Sequence, residues 1–199
     1  MTRSRLIRDL KARPSPPDPA PVTRRIRTLL ALVLAAVVCS PVGTGAPLDR
    51  LLIYGDGFSF AVAEPPGWRG SIEEAERLSS NVVFYRRGES ADAAIALVRV
   101  RVNDKTDENI AADLQADMDG YRTQYPKIEF RELAVAHPTY AAVAKLFTMP
   151  GQFYEYVAYV NPGPGKSWIF GASMNKQRSE ATKEELAAFK AVVASLELL

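Results

Sequence analysis

The segment from Gly55 to Trp68, GDGFSFAVAEPPGW, limits what this chain can fold into more than any other. Gly55-Asp56-Gly57 joins two short apolar runs, Leu51–Tyr54 and Phe58–Ala63, by a connection of hairpin length. Phe58, Phe60 and Val62 share one face of the second run, the period of two expected of a half-buried strand. Pro65 and Pro66 lack the amide donor that a central strand requires, so the strand must stop there. Gly67 then permits a sharp turn, and Trp68 can fold back onto the core to cap the open end of the sheet. A tryptophan buries ~150–250 Å², so this placement reads as structural.

The same punctuation recurs downstream. Val82–Tyr85 and Ala93–Val102 flank a turn at Arg86–Ser90 and predict a second hairpin. Ala96, Val98, Val100 and Val102 lie on one face of its later strand. Ile95, Leu97, Arg99 and Arg101 lie on the other, which turns to solvent towards its end. Strands are expected near Ile128–Leu133, Ala141–Met149, Gln152–Val160 and Ser167–Met174, joined by MPGQ (149–152) and NPGPGK (161–166). The run FYEYVAYV is apolar on both faces, which predicts a strand covered on two sides.

A short helix is expected within Ser71–Ser80, carrying Glu73, Glu74 and Glu76. Ile110, Leu114, Met118 and Tyr121 recur at helical spacing and predict a helix over Thr106–Gln124, with Asp107 and Glu108 in its first turn and Pro126 ending it. Thr182 and Glu185 have capping-box spacing at the head of a last helix, which turns Leu186, Phe189, Val193 and Leu196 inwards. Hairpin-length connections demand an antiparallel sheet, and the amphipathic helices must pack on its faces. The fold class is therefore α+β.

The amino-terminal part is different in kind. Residues 1–45 carry eight Lys and Arg against two acids, whereas residues 46–199 carry seventeen against twenty-one. A mildly acidic folded part argues against a nucleic-acid binder, which needs a basic footprint. Arg24, Arg25 and Arg27 precede an apolar run from Leu29 to Cys39, followed by small residues and Pro41, in the order of a secretory signal. The run is far shorter than the ~20 residues of a spanning helix.

Ordinary cleavage fits best after Gly45, because a cut after Ala46 would leave Pro47 just beyond it. Lipid attachment at Cys39 ranks second, since Val38 is bulkier than that processing site accepts. Thr23-Arg24-Arg25 suggests twin-arginine export, but Arg27 stands where that pattern favours an apolar residue. The organisation read here is a disordered or mis-started extension over 1–21, a signal peptide over 22–45 and an α+β domain over 46–199. An extracytoplasmic location, periplasm or cell envelope, follows. Cys39 is the sole cysteine, so the folded part has neither disulfides nor Cys-ligated zinc.

Phe58-Ser59-Phe60 leading to Pro66-Gly67-Trp68, the strand Ala93–Val102 with its following helix, and Trp168-Ile169-Phe170 leading to a helix ending Val193-Ala194-Ser195-Leu196 together resemble the PsbP-like family and its LpqN- and DcrB-type bacterial envelope relatives. The resemblance spans Leu51 to Leu199 as a pattern rather than a dense motif. It implies a PsbP-like α/β/α sandwich and accessory or binding roles outside the cytoplasm. It carries over no catalytic set, and fold-level analogy specifies function only weakly.

His137 is the sole histidine, in Ala136-His137-Pro138-Thr139, and reads as a solvent-exposed turn residue without nucleophile or orienter. Ser173 and Ser195 lack a nucleophile elbow. Asp113 and Asp117 are i,i+4 on the first long helix with Asp119 beyond. That spacing suits a hard cation, yet acids on a helix read more simply as a solvated face. Acids so placed stay ionised and unpaired. NPGPGK lacks phosphate-loop spacing.

Arg86, Arg87, Arg99 and Arg101 are candidates for a basic strip facing an anionic partner or lipid headgroup, against the simpler reading of cross-strand pairs with carboxylates. Tyr154 and Tyr156, with Tyr159 and Trp168, either line an apolar groove or fill the core. The resulting expectation is a non-enzymatic accessory protein without cofactor, metal or nucleic acid. Its partner is another envelope protein or a membrane-associated complex, with transient membrane association. The alternative is a small-ligand or lipid carrier with a pocket between sheet and helix.

Overall fold

The computed structural model describes residues 49–199. The expected extension, signal peptide and Cys39 lie outside these residues. The elements follow in the order β1 (Arg50–Gly55), β2 (Phe58–Ala63), β3 (Trp68–Ser71), α1 (Glu73–Arg77), β4 (Val82–Arg86), β5 (Leu97–Asp104), α2 (Ile110–Gln124), β6 (Glu129–Glu132), β7 (Ala141–Met149), β8 (Phe153–Asn161), β9 (Trp168–Gln177), α3 (Lys183–Ala194) and β10 (Glu197–Leu198).

The strands form two sheets rather than one, β1-β2-β10 and β3-β4-β5-β9-β8-β7-β6, and every pairing is antiparallel. The split follows from Pro65-Pro66, which ends β2. Trp68 N donates to Pro65 O at 3.0 Å, and Gly67 has φ +77°, so the chain turns sharply and enters the larger sheet. Trp68 is thus the first residue of an edge strand as well as a buried side chain.

One face of the larger sheet meets the smaller sheet and α3. Phe60, Val62, Phe170, Met174, Phe189 and Val193 lie in this main core, where Phe60 and Phe170 meet edge to face at 5.1 Å. The opposite face carries α1 over Val83, Tyr85 and Leu97, and α2 over Phe147, Val157 and Ile169. β8 lies inside the larger sheet and is buried from Glu155 to Val160, as its two-faced apolar run predicts.

Several boundaries differ from expectation, β9 running on to Gln177 among them, and near two of them side chains capture backbone groups. β5 begins at Leu97 rather than Ala93, and before it the Glu74 carboxylate accepts the Ala91 amide at 2.9 Å. α2 begins at Ile110 rather than Thr106. Asn109 caps it by accepting Ala111 N at 3.1 Å, while Asp107 accepts Asn109 N outside the first turn. α3 has the expected capping box, with Glu185 N donating to Thr182 Oγ1 at 3.2 Å and Thr182 N donating to Glu185 Oε2 at 2.8 Å.

Candidate functional site

Asp113 and Asp117 are not on a solvated face. The inner face of α2 takes positions 110, 113, 114, 117, 118 and 121, so two acids enter the apolar stripe that packs on the larger sheet. Asp117 is 1% exposed, and its Oδ2 accepts the Tyr159 hydroxyl from β8. Tyr121 donates to Glu155 Oε2 at 2.5 Å across the same seam. Asp113 Oδ1 accepts the amide and hydroxyl of Thr106, and its Oδ2 is buried without a hydrogen-bond partner. Asp119 alone of the three is exposed, paired with Arg122 at 2.8 Å.

Burial pushes the Asp117 carboxyl up to about 7. The Tyr159 hydrogen bond and Arg101 oppose this rise, while Glu155 and Asp113 add to it. Burial likewise pushes up the Tyr159 and Tyr121 hydroxyls, reinforced by Asp117 and Glu155 respectively. A carboxyl whose folded value exceeds its ordinary 3.8 holds a proton that the unfolded chain releases. Its contribution to stability is therefore lost as pH rises from about 4 to about 7. Asp117→Asn keeps an oxygen for Tyr159 and removes the titration. Urea melts at pH 8 are expected to show the variant about 2 kcal/mol more stable than wild type, a gain that shrinks at pH 5. A variant less stable at both pH values would contradict a protonating Asp117.

The four candidate arginines do not form one strip. Arg86 faces α3, 3.7 Å from Glu185, and Arg87 pairs with Glu64 at 2.8 Å while donating to Trp68 O. Arg99 and Arg101 project from β5 onto the opposite face of the sheet, between α1 and α2. Arg101 donates to Leu78 O and Ser80 Oγ, both at 3.2 Å, tying the end of α1 to the sheet. With Asn103, Gly171 and Ser173 these arginines line a pocket of about 10 Å³, room for one water.

Asn103 was not singled out by sequence reasoning. A Cβ on Gly171 would stand 2.3 Å from Asn103 Nδ2, so the glycine makes room for that amide across the sheet. A glycine inside a strand, directly after Trp168-Ile169-Phe170, was the available signal.

Tyr156 is buried, and its hydroxyl accepts Ala181 N at 2.8 Å, while Tyr154 is partly buried against the same core. Tyr159 and Trp168 are core residues as well. His137 is half-buried rather than a free turn residue. Its Nδ1 accepts the amides of Thr139 at 3.1 Å and Tyr140 at 2.9 Å, so the proton sits on Nε2, which donates to Leu196 O at 2.7 Å. The ring stacks on Tyr140 at 4.6 Å. His137, Thr139 and Tyr140 border an open groove of about 660 Å³, with Arg50, Ser195 and Glu197 on its other wall.

These features define an antiparallel α+β protein whose sheet is backed by a second small sheet and a helix, with two helices over its other face. Among solved structures the chain is similar to the Ran-binding protein Mog1p of Saccharomyces cerevisiae, at 13% identity, a TM-score of 0.49 and coverage of 77% of this chain and 96% of that one. It is also similar to the cyanobacterial PsbP of Synechocystis sp. PCC 6803, at 12% identity, a TM-score of 0.44 and coverage of 82% and 98%. At these scores the fold class rests on the chain's own topology. No protein-family model matches the chain, and no curated protein does.

Proposed function

We propose that this chain is an exported, non-enzymatic binding protein of the bacterial cell envelope, whose partner is another envelope protein or a membrane-associated complex. The observation that carries the non-enzymatic part of this reading is that the strongest acid–base candidates are held in internal bonds, while export rests on the order of residues 22–45. His137 has both ring nitrogens committed to backbone groups, Asp117 is held by Tyr159, Glu155 by Tyr121 and Glu185 by Lys176. Proton-transfer catalysis needs such a group within reach of a substrate or nucleophile.

The proposed contact surface is the face between α1 and α2, where the partly buried Arg99 and Arg101 supply positive charge. The carrier reading gains less support, because the seam between the larger sheet and α3 is filled by Phe189, Val192 and Val193. The test is isolation of the protein from envelope extracts with its partner. A mature start near Ala46 and a co-purifying component lost in Arg99→Glu are expected. Full-length chain in the cytosol would sink the export reading. Turnover in a broad hydrolase screen that disappears in His137→Ala would overturn the non-enzymatic one.

A further inference from the structure

The edges of the two sheets are not equally protected. β6 carries Glu129, Arg131 and Glu132, β3 has four residues placed directly after Pro66-Gly67, and β10 has two. These are the usual devices against edge pairing: charge, proline and shortness. β1 has six residues, RLLIYG, with Arg50 as its one charge, and no described strand continues the sheet beyond it.

The ladder shows which backbone groups β1 leaves over. Glu64 N donates to Asp49 O at 2.8 Å, and the register runs from Arg50↔Ala63 to Gly55↔Phe58. Bonded pairs alternate in an antiparallel ladder, so Leu51 and Ile53 address β2, whereas Arg50, Leu52 and Tyr54 direct their N–H and C=O outwards. The Ala63 amide agrees, since it points away from β1 to Ser195 Oγ at 3.0 Å. The side chains of Arg50, Leu52 and Tyr54 share the solvent face of the small sheet; Arg50 is held there by Glu197 at 2.5 Å, and Tyr54 is 38% exposed.

We propose that β1 is a docking edge for a second copy of this chain, paired antiparallel about a two-fold axis at Leu52. In that register the edge is complementary to itself over all three of its outward residues. Leu52 meets Leu52 of the second copy, and Arg50 meets Tyr54 of the second copy at both ends, a cation against an aromatic face. Each of these pairs brings outward N–H and C=O groups together, so the backbone bonds close in the same register. Centring the axis at Leu51 or Ile53 would also bring outward groups together, but within the strand it closes two such pairs in place of three. The contact is one strand pair, which places it in the weak class below ~1,200 Å². Association is therefore concentration-dependent, and it is independent of which envelope partner the protein takes.

Sedimentation equilibrium on the form the cell accumulates, with reductant present, is expected to show the mass rising from one chain towards two over roughly the micromolar to millimolar range. Tyr54→Lys sets like charges against each other at both ends, and Leu52→Lys does so on the axis. Each is expected to raise the dimer Kd about tenfold or more, with the circular dichroism of the monomer unchanged. Should Leu52→Lys fail to fold, Tyr54→Lys decides. Hydrogen exchange at the Arg50, Leu52 and Tyr54 amides is expected to slow as concentration rises. A monomer at every concentration overturns the proposal, as does a dimer indifferent to folded Tyr54→Lys or one that protects other amides instead.

Discussion

Trp68→Ala is expected to destabilise the protein by about 3–5 kcal/mol, the usual cost of emptying a buried large-aromatic site. Trp68 is 4% exposed, and it sits where a forced strand end hands the chain from one sheet to the other. The local polar contacts do not depend on its ring. Arg87 Nε binds the Trp68 carbonyl at 3.0 Å, and Gly70 N donates to Glu64 Oε1 at 3.0 Å. The loss therefore reports packing between the sheets rather than a broken turn. In urea, the midpoint is expected to fall with little change in slope. An unchanged midpoint would mean that the indole is dispensable to the core.

Lys176→Met is expected to cost about 3 kcal/mol or more, because it strands a buried carboxylate. Lys176 and Glu185 are both almost fully buried, with Nζ 3.0 Å from Oε1, and they join the end of β9 to the first turn of α3. Burial works against the Glu185 charge, but the Thr182 amide, Lys176 and Arg86 together outweigh it and hold the carboxyl below its ordinary 4.5. Its stabilising contribution is present above that pH and is lost as pH falls further.

Adding Glu185→Gln to Lys176→Met is expected to recover most of the loss. Glutamine carries no charge to strand and still accepts the Thr182 amide in the capping box. Chemical denaturation of the single and double variants decides this. A double variant no more stable than Lys176→Met would mean that the charge of Glu185 is not what the lysine supports.

Much of the fold was legible because its signals are local. The β7–β8–β9 meander pairs neighbours in sequence across short turns, so apolar runs and glycine-bearing connections sufficed, and Ala141–Met149 has the expected bounds. The capping box of α3 is likewise a matter of residues three apart. The candidate site was legible only in part. Tyr156 was recognisable as an aromatic at strand spacing, but what its hydroxyl meets lies 25 residues on. The burial of Asp117 depends on Tyr159, 42 residues away, and the fixed tautomer of His137 depends on Leu196, 59 residues away. Asp113 and Asp117 stand beside Leu114 and Met118, yet an acid on a helix gives no sign of which neighbouring element will cover it.

By itself, the sequence determined that the described part is antiparallel, α+β and divided at Pro65-Pro66, because periodicity, missing amide donors and caps act over a few residues. The tertiary structure alone decided that the division makes two sheets and that β5 pairs with β9 across the intervening α2 and β6–β8. It also decided that two acids of α2 face inwards and that the arginines part to opposite faces. Those outcomes turn on desolvation and on partners brought together from distant parts of the chain, which no local pattern encodes.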